Sequence, residues 1–145
     1  MTLAEGVASL GGVGRLRPAP GTWGSAVVLP AALLGPLACL GLAVAFTVAG
    51  LWAVRRVPGA EDDPGWVVVD EAAGGCLALT CLPAGGPWWG VALAFGLFRL
   101  FDVTKPGPVG WLDRRGGAVG VMLDDVAAGA AAGAVLLGVR AAGWL

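Results

Sequence analysis

Five of the ten acidic residues, Asp70, Glu71, Asp102, Asp124 and Asp125, lie within or at the ends of runs that are otherwise apolar. A carboxylate at the centre of a bilayer costs about 2.5–3.5 kcal/mol on insertion scales, so five in a short chain call for a shared purpose. Two readings compete. Each acid could sit at a helix end and touch water, or the five could converge on one polar site, most naturally a divalent cation held by oxygen ligands. Two cations accompany them. Arg99 and Asp102 stand three apart and so share a helical face, and Lys105 follows in a turn held by Pro106 and Pro108. A guanidinium and an ammonium beside acid-bound metal would offer a phosphate group charge neutralisation and fork-shaped hydrogen bonding. A plain Arg99–Asp102 ion pair is the simpler alternative. The run Gly21-Thr22-Trp23-Gly24-Ser25 would present backbone N–H groups and hydroxyls to a phosphate at a helix start, with Thr22, Ser25 and the upstream Arg15 as candidate substrate contacts. A turn capped by Ser25 accounts for the same run.

The elements that must position these residues read as membrane helices. Hydrophobic residues make up 57% of the 145 and charged residues 13%, the latter about half the usual share of roughly 25%. So few charges cannot cover a soluble domain of this size. The expected architecture is all-α, a small polytopic membrane helical bundle forming a single domain over 1–145. Residues 11–25 are too rich in Gly and Pro for a continuous helix. Ala26–Val54 then runs 29 residues without a charge but contains Gly35-Pro36. Trp66–Leu82 and Val121–Val139 are long enough to span, and Trp88–Phe101 reaches across only if Asp102 and its flanking turns extend it into the headgroup layer.

Asp70-Glu71 starts one span, Asp102 ends the next and Asp124-Asp125 lies near the start of the last, so alternating helices bring all five acids to one side. Arg55, Arg56, Lys105, Arg114 and Arg115 fall on that side, whereas the loop 83–87 carries no charge, which makes the acid-bearing side cytoplasmic. If Ala26–Val54 crosses once, the PGTWGS run lands opposite the acids. If Gly35-Pro36 breaks it into a re-entrant or hairpin segment, the run joins them. Ten residues before the break are too few to cross, which favours the re-entrant form.

Other chemistries fall away. A net charge of −1 leaves no basic footprint for nucleic acid. The chain has no histidine, which removes His-dependent triads and the usual zinc sites. Cys39, Cys76 and Cys81 sit in apolar runs without CxxC spacing and read as core residues. None is followed six positions later by arginine, no DxDxT motif occurs, and no GxxxxGK[ST] loop is present. Residues 2–10 do not read as a signal peptide. Metal-assisted hydrolysis by clustered carboxylates remains.

Along most of its length the chain resembles the phosphatidylglycerophosphatase A family. The matching blocks are PAPGTWGS (18–25), DPGWVVVDEAAG (63–74), FRLFDVTKPGPVGWLDRR (98–115) and GVMLDDVAAG (120–129), in that order. The resemblance implies a bacterial inner-membrane enzyme whose active site faces the cytoplasm. Such an enzyme requires Mg2+ and removes the terminal phosphate of phosphatidylglycerophosphate to give phosphatidylglycerol. It carries the acidic pairs onto Asp70-Glu71 and Asp124-Asp125, with Asp102 and Lys105 in the third block. Gly107 stands where the family commonly has an aromatic residue, Gly110 where it has a basic one, and Ala72 where it has a bulkier one.

On this reading the metal ligands are expected among Asp70, Glu71, Asp124 and Asp125. Glu71 or Asp102 orients the attacking water as general base. Lys105 and Arg99 bind the phosphate and neutralise its developing charge, and a covalent aspartyl-phosphate route stays open. Two rival classes are a same-fold phosphatase for another phosphorylated lipid or small molecule, and a small cation carrier. A carrier needs acids spread through the depth of the membrane, whereas these cluster on one side. Gly129 and Gly133 form a small-xxx-small face that would serve either packing within the chain or a homo-oligomer.

Overall fold

Proline and glycine set most of the helix boundaries. The computed structural model describes residues 1–145 and contains seven helices: α1 (Leu3–Ala8), α2 (Pro20–Val27), α3 (Pro36–Val54), α4 (Val69–Leu79), α5 (Trp88–Thr104), α6 (Pro108–Asp113) and α7 (Gly117–Ala141). Short 3-10 turns occupy Val13–Arg15, Leu29–Leu34 and Ala60–Asp62. Pro20, Pro36 and Pro108 begin α2, α3 and α6, where a missing N–H costs little because the first amides of a helix have no partner. Gly35 (φ 86°) turns the chain sharply into α3, a conformation open to glycine at no steric cost. The all-α expectation is met.

The long apolar stretch is broken where Gly35-Pro36 predicts. Before the break lie α2 and a 3-10 turn; after it α3 runs for 19 residues, roughly 29 Å at 1.5 Å per residue. Helices α3 and α7 are both long and apolar enough to cross a membrane. Leu37, Leu40, Val44 and Val48 recur at helical spacing along α3 and all are exposed, Leu37 at 86%. A stripe of this kind is costly in water and suits contact with acyl chains.

Two expectations need correction. The segment Trp66–Leu82 does not form one spanning helix, because α4 covers only 11 residues, roughly 16 Å. It ends where Thr80 Oγ1 donates back to the Cys76 carbonyl at 3.1 Å. The run Gly21–Ser25 is not a turn capped by Ser25 but the body of α2.

Helix α4 is the centre of the fold. Its residues from Ala72 to Cys76 are all buried, and it packs between α3, α5 and α7. The approach to α7 is backbone on backbone: a β-carbon at Gly129 would overlap the Gly74 carbonyl, and one at Gly74 would overlap the Asp125 carbonyl and lie 2.5 Å from Phe98 Cε2. Gly133 lies against Cys81, where a β-carbon would come within 2.7 Å of Sγ. The small-residue face of α7 is therefore used inside the chain. Phe98 of α5 closes the other side against Ala78, Ala128 and Ala132. Cys39 and Cys76 are buried core thiols, as their apolar context predicts, and Cys81 is half-buried; all three are free.

Candidate metal centre

The first turn of α4 carries Asp70 and Glu71, and the third turn of α7 carries Asp125, directly across the glycine contact. Ligand oxygens of Asp70, Glu71 and Asp125 all lie within 4.8 Å of one another. Asp70 is 5% exposed and Asp125 3%. Asp70 Oδ1 accepts a hydrogen bond from the Glu71 amide at 3.0 Å, and the start of a helix favours negative charge. No lysine or arginine pairs with any of the three; the ion pairs of the protein lie elsewhere. Glu71 Oε2 is buried without a hydrogen-bond partner.

Two buried carboxylates beside a half-buried third, with one of its oxygens enclosed and unpartnered, are strongly unfavourable without a compensating cation. A divalent ion would supply the missing charge, and an all-oxygen donor set suits Mg2+ or Ca2+ rather than a thiolate- or imidazole-seeking metal. The residues therefore fit a hard divalent cation, with the orphaned Glu71 oxygen as the observation that carries the fit.

Around this group stands a ring of paired charges. Arg99 Nη1 donates to Asp102 Oδ2, the i,i+3 pair expected on α5. Asp102 in turn lies close enough to Asp125 and Glu71 for their charges to interact. Lys105, at the left-handed end of α5 (φ 47°), donates from Nζ to Asp113 Oδ1 at 2.5 Å and to Asp124 Oδ2 at 2.6 Å. Partial burial opposes its charge, but these two hydrogen bonds outweigh burial and hold the ammonium above its ordinary range.

Asp124 thus departs from its expected place. It is buried, its Oδ1 accepts from the Asp125 amide at 2.8 Å and its Oδ2 is taken by Lys105, so it stands outside the group of three. Adjacent helical residues point about 100° apart, which sends Asp125 to the carboxylate group and Asp124 to the lysine.

The N-terminal contacts divide in the same way. Gly21 lies directly against Glu71 Oε1, and a β-carbon there would overlap that oxygen and sit 3.3 Å from Arg99 Nη1. The PGTWGS run therefore does join the acids. Thr22, one residue on, is half-buried. Ser25 is buried and turns its hydroxyl onto the Gly21 carbonyl at 2.8 Å, so it neither caps the helix nor faces the carboxylates. Arg15 lies apart, in a neighbouring cleft. Two acids that the sequence reading passed over border the site: Asp113, which shares Lys105 with Asp124, and Asp63, whose charge acts on Lys105, Asp102 and Asp113. Asp63 lies in a polar connecting segment and Asp113 ends the short α6, where composition gives no sign of them; each falls within one of the four matching blocks.

Gly110 has its own explanation. A β-carbon there would lie 2.5 Å from the Lys105 carbonyl, so the close approach of α6 to the end of α5 leaves no room for a side chain.

Comparison with known proteins matches residues 6–140 to the family model for phosphatidylglycerophosphatase A. A phosphatidylglycerophosphatase A of Haemophilus influenzae is 34% identical over 125 residues, covering 81% of this chain and 76% of that protein. A Bacteroides thetaiotaomicron protein provisionally named a phosphatidylinositol-3-phosphatase is 46% identical over 90 residues, 61% of this chain and 57% of its own. A phosphatidylglycerophosphatase A of Escherichia coli is 40% identical over 75 residues, 51% of this chain and 43% of its own. The chain thus spans about half the length of two of these relatives and three quarters of the third. No solved structure matches it.

Proposed function

The chain belongs to the phosphatidylglycerophosphatase A family, and from that premise we propose that it hydrolyses the terminal phosphate monoester of phosphatidylglycerophosphate, at the cytoplasmic face of a bacterial inner membrane. The observation that carries the reading is the buried, cation-free group of Asp70, Glu71 and Asp125 with the unpartnered Glu71 Oε2. These three would hold Mg2+. Held there, the ion would supply Lewis-acid polarisation of the phosphoryl group and activation of water.

The chain's own residues do the rest. Arg99 and Lys105 stand on the rim of the carboxylate group and neutralise the phosphate oxygens as charge develops, each released in part from its carboxylate partner. Asp102, beside Asp125 and not needed as a ligand, accepts a proton from the attacking water. A bond forms from the water oxygen to phosphorus, the bond from phosphorus to the headgroup oxygen breaks, and that oxygen takes a proton from solvent. Acyl chains stay in the bilayer against the exposed apolar stripe of α3.

A second reading keeps the chemistry and changes the lipid. It is favoured by the relative named for phosphatidylinositol 3-phosphate and by the bare Gly107 that precedes α6 beside Lys105.

The test is phosphate release from each of the two lipids by detergent-purified protein, with Mg2+ and with chelator. Mg2+-dependent release from phosphatidylglycerophosphate is expected; release only from the inositol lipid moves the assignment to the second reading. Release from neither, by folded protein, removes both.

A further inference from the structure

Next to the carboxylate group lies a cleft of about 870 Å³ lined by Arg15, Arg17, Glu5, Pro20, Pro58 and Trp66. Both arginines are exposed and neither takes part in an ion pair. That sets them apart from Arg56 and Arg115, which lie over the rings of Trp52 and Trp111 at 4.8 and 4.2 Å. The one acid of the cleft, Glu5, is tied to the start of α1, accepting from the Thr2 amide at 2.7 Å. Two guanidiniums against one engaged carboxylate leave the cleft net positive.

Its walls are fixed to the site. Gly14 lies directly on the Trp66 carbonyl, where a β-carbon has no room. That contact clamps the arginine-bearing turn onto the segment leading into α4. Trp66 is four residues from Asp70, at most about 14 Å along an extended chain. On the opposite wall Pro20 is followed by Gly21, which touches Glu71. The cleft is therefore a preformed cationic pocket beside an anionic metal centre.

Resting on the proposed function, we propose that Arg15 and Arg17 bind a second phosphate of the substrate, the phosphodiester joining its headgroup to diacylglycerol, while the monoester lies at the carboxylates. Every substrate named for the relatives is a phosphatidyl lipid with such a diester and a terminal monoester. Paired guanidiniums match the fixed, singly charged diester oxygens. The cleft makes the enzyme select lipids bearing both groups over simple phosphate monoesters.

The test uses the full chain and the Arg15→Gln/Arg17→Gln variant with three substrates. These are phosphatidylglycerophosphate, its deacylated form (diester and monoester without acyl chains) and p-nitrophenyl phosphate (monoester alone). For both diester-bearing substrates, kcat/KM relative to p-nitrophenyl phosphate should fall about 10- to 100-fold, mainly through KM. Equal loss on all three, or no loss, overturns the proposal. Loss on the lipid with the deacylated substrate spared also overturns it, and makes the arginines contacts to the anionic membrane surface. Calorimetric binding of glycerophosphoglycerol, a diester without a monoester, separates the two claims. If the wild-type protein hydrolyses nothing yet binds this compound through the arginines, the cleft stands and the phosphatase reading falls. If wild type and variant bind it alike, the cleft proposal falls.

Discussion

Gly21 and Glu71 share one space: Glu71 Oε1 lies where a β-carbon on Gly21 would stand. The glycine of α2 thereby admits a buried carboxylate whose other oxygen has no partner, and it brings an N-terminal helix against a site otherwise built from α4, α5 and α7. A methyl group there displaces the far end of a side chain rather than backbone. Gly21→Ala should therefore keep the fold and disturb the site. We expect Mg2+-dependent phosphate release to fall about tenfold or more, with a higher half-saturating Mg2+ and a melting temperature close to wild type. Unchanged activity would mean that Glu71 can move without consequence.

Gly129 and Gly74 make the opposite case, because what a β-carbon meets there is backbone. Gly129→Ala should destabilise the protein by about 1–3 kcal/mol, the usual cost of overpacking. Gly138, on the same helix, faces open space, and Gly138→Ala should be neutral or stabilising by up to about 1 kcal/mol through helix propensity. Thermal unfolding in detergent compares the two. A homo-oligomer, if one forms, must use a face other than Gly129 and Gly133, both of which are filled from within.

Much of the site could be read from residue types alone. Carboxylates in apolar runs are expensive enough to demand a purpose, and Asp70, Glu71 and Asp125 do converge as that cost implied. The break at Gly35-Pro36 was equally legible, since a glycine-proline pair stops a helix wherever it falls. What could not be read was direction. Asp124 and Asp125 are neighbours of one type in a helix with little amphipathic contrast, and only the packing of α7 on α4 decides which of them faces the group. The length of α4 was hidden for a related reason: Trp66–Val68 and Thr80–Leu82 are as apolar as a helix but serve as its approaches. Asp63 and Asp113 looked like ordinary loop acids: Asp113 meets Lys105 only once the chain folds back through α6, and Asp63 feels the charge of Lys105 only through the packing of distant segments.

Lys105 bridges Asp113 and Asp124, so its removal takes away a cation and leaves Asp124 buried and unpaired. Lys105→Met should lower kcat about 100- to 1,000-fold, the range for losing one stabiliser of transition-state charge. The half-saturating Mg2+ should stay near the wild-type value. Calcium-free assays over a Mg2+ series measure both quantities. A kcat loss that high Mg2+ restores would instead make Lys105 a support of the ligands.

The raised pKa of Lys105 has a signed consequence. A lysine whose folded value exceeds its unfolded one contributes stability that is fully present below the unfolded value, about 10.4, and is lost only as pH rises through the folded value. Between pH 6 and 9 the ammonium therefore stays charged, and the alkaline limb of the rate profile in that window should be the same for wild type and Lys105→Arg. A limb present in the first and missing in the second would show Lys105 titrating there.

Asp125, and not its neighbour Asp124, is expected to complete the metal centre with Asp70 and Glu71. The most direct measurement is a Mg2+ titration of phosphate release from phosphatidylglycerophosphate by Asp125→Asn and Asp124→Asn, side by side. Asp125→Asn should raise the half-saturating Mg2+ at least about tenfold or abolish release, while Asp124→Asn should lower kcat at an unchanged Mg2+ requirement. The reverse pattern, with the Mg2+ requirement shifted by Asp124→Asn and untouched by Asp125→Asn, would contradict this assignment.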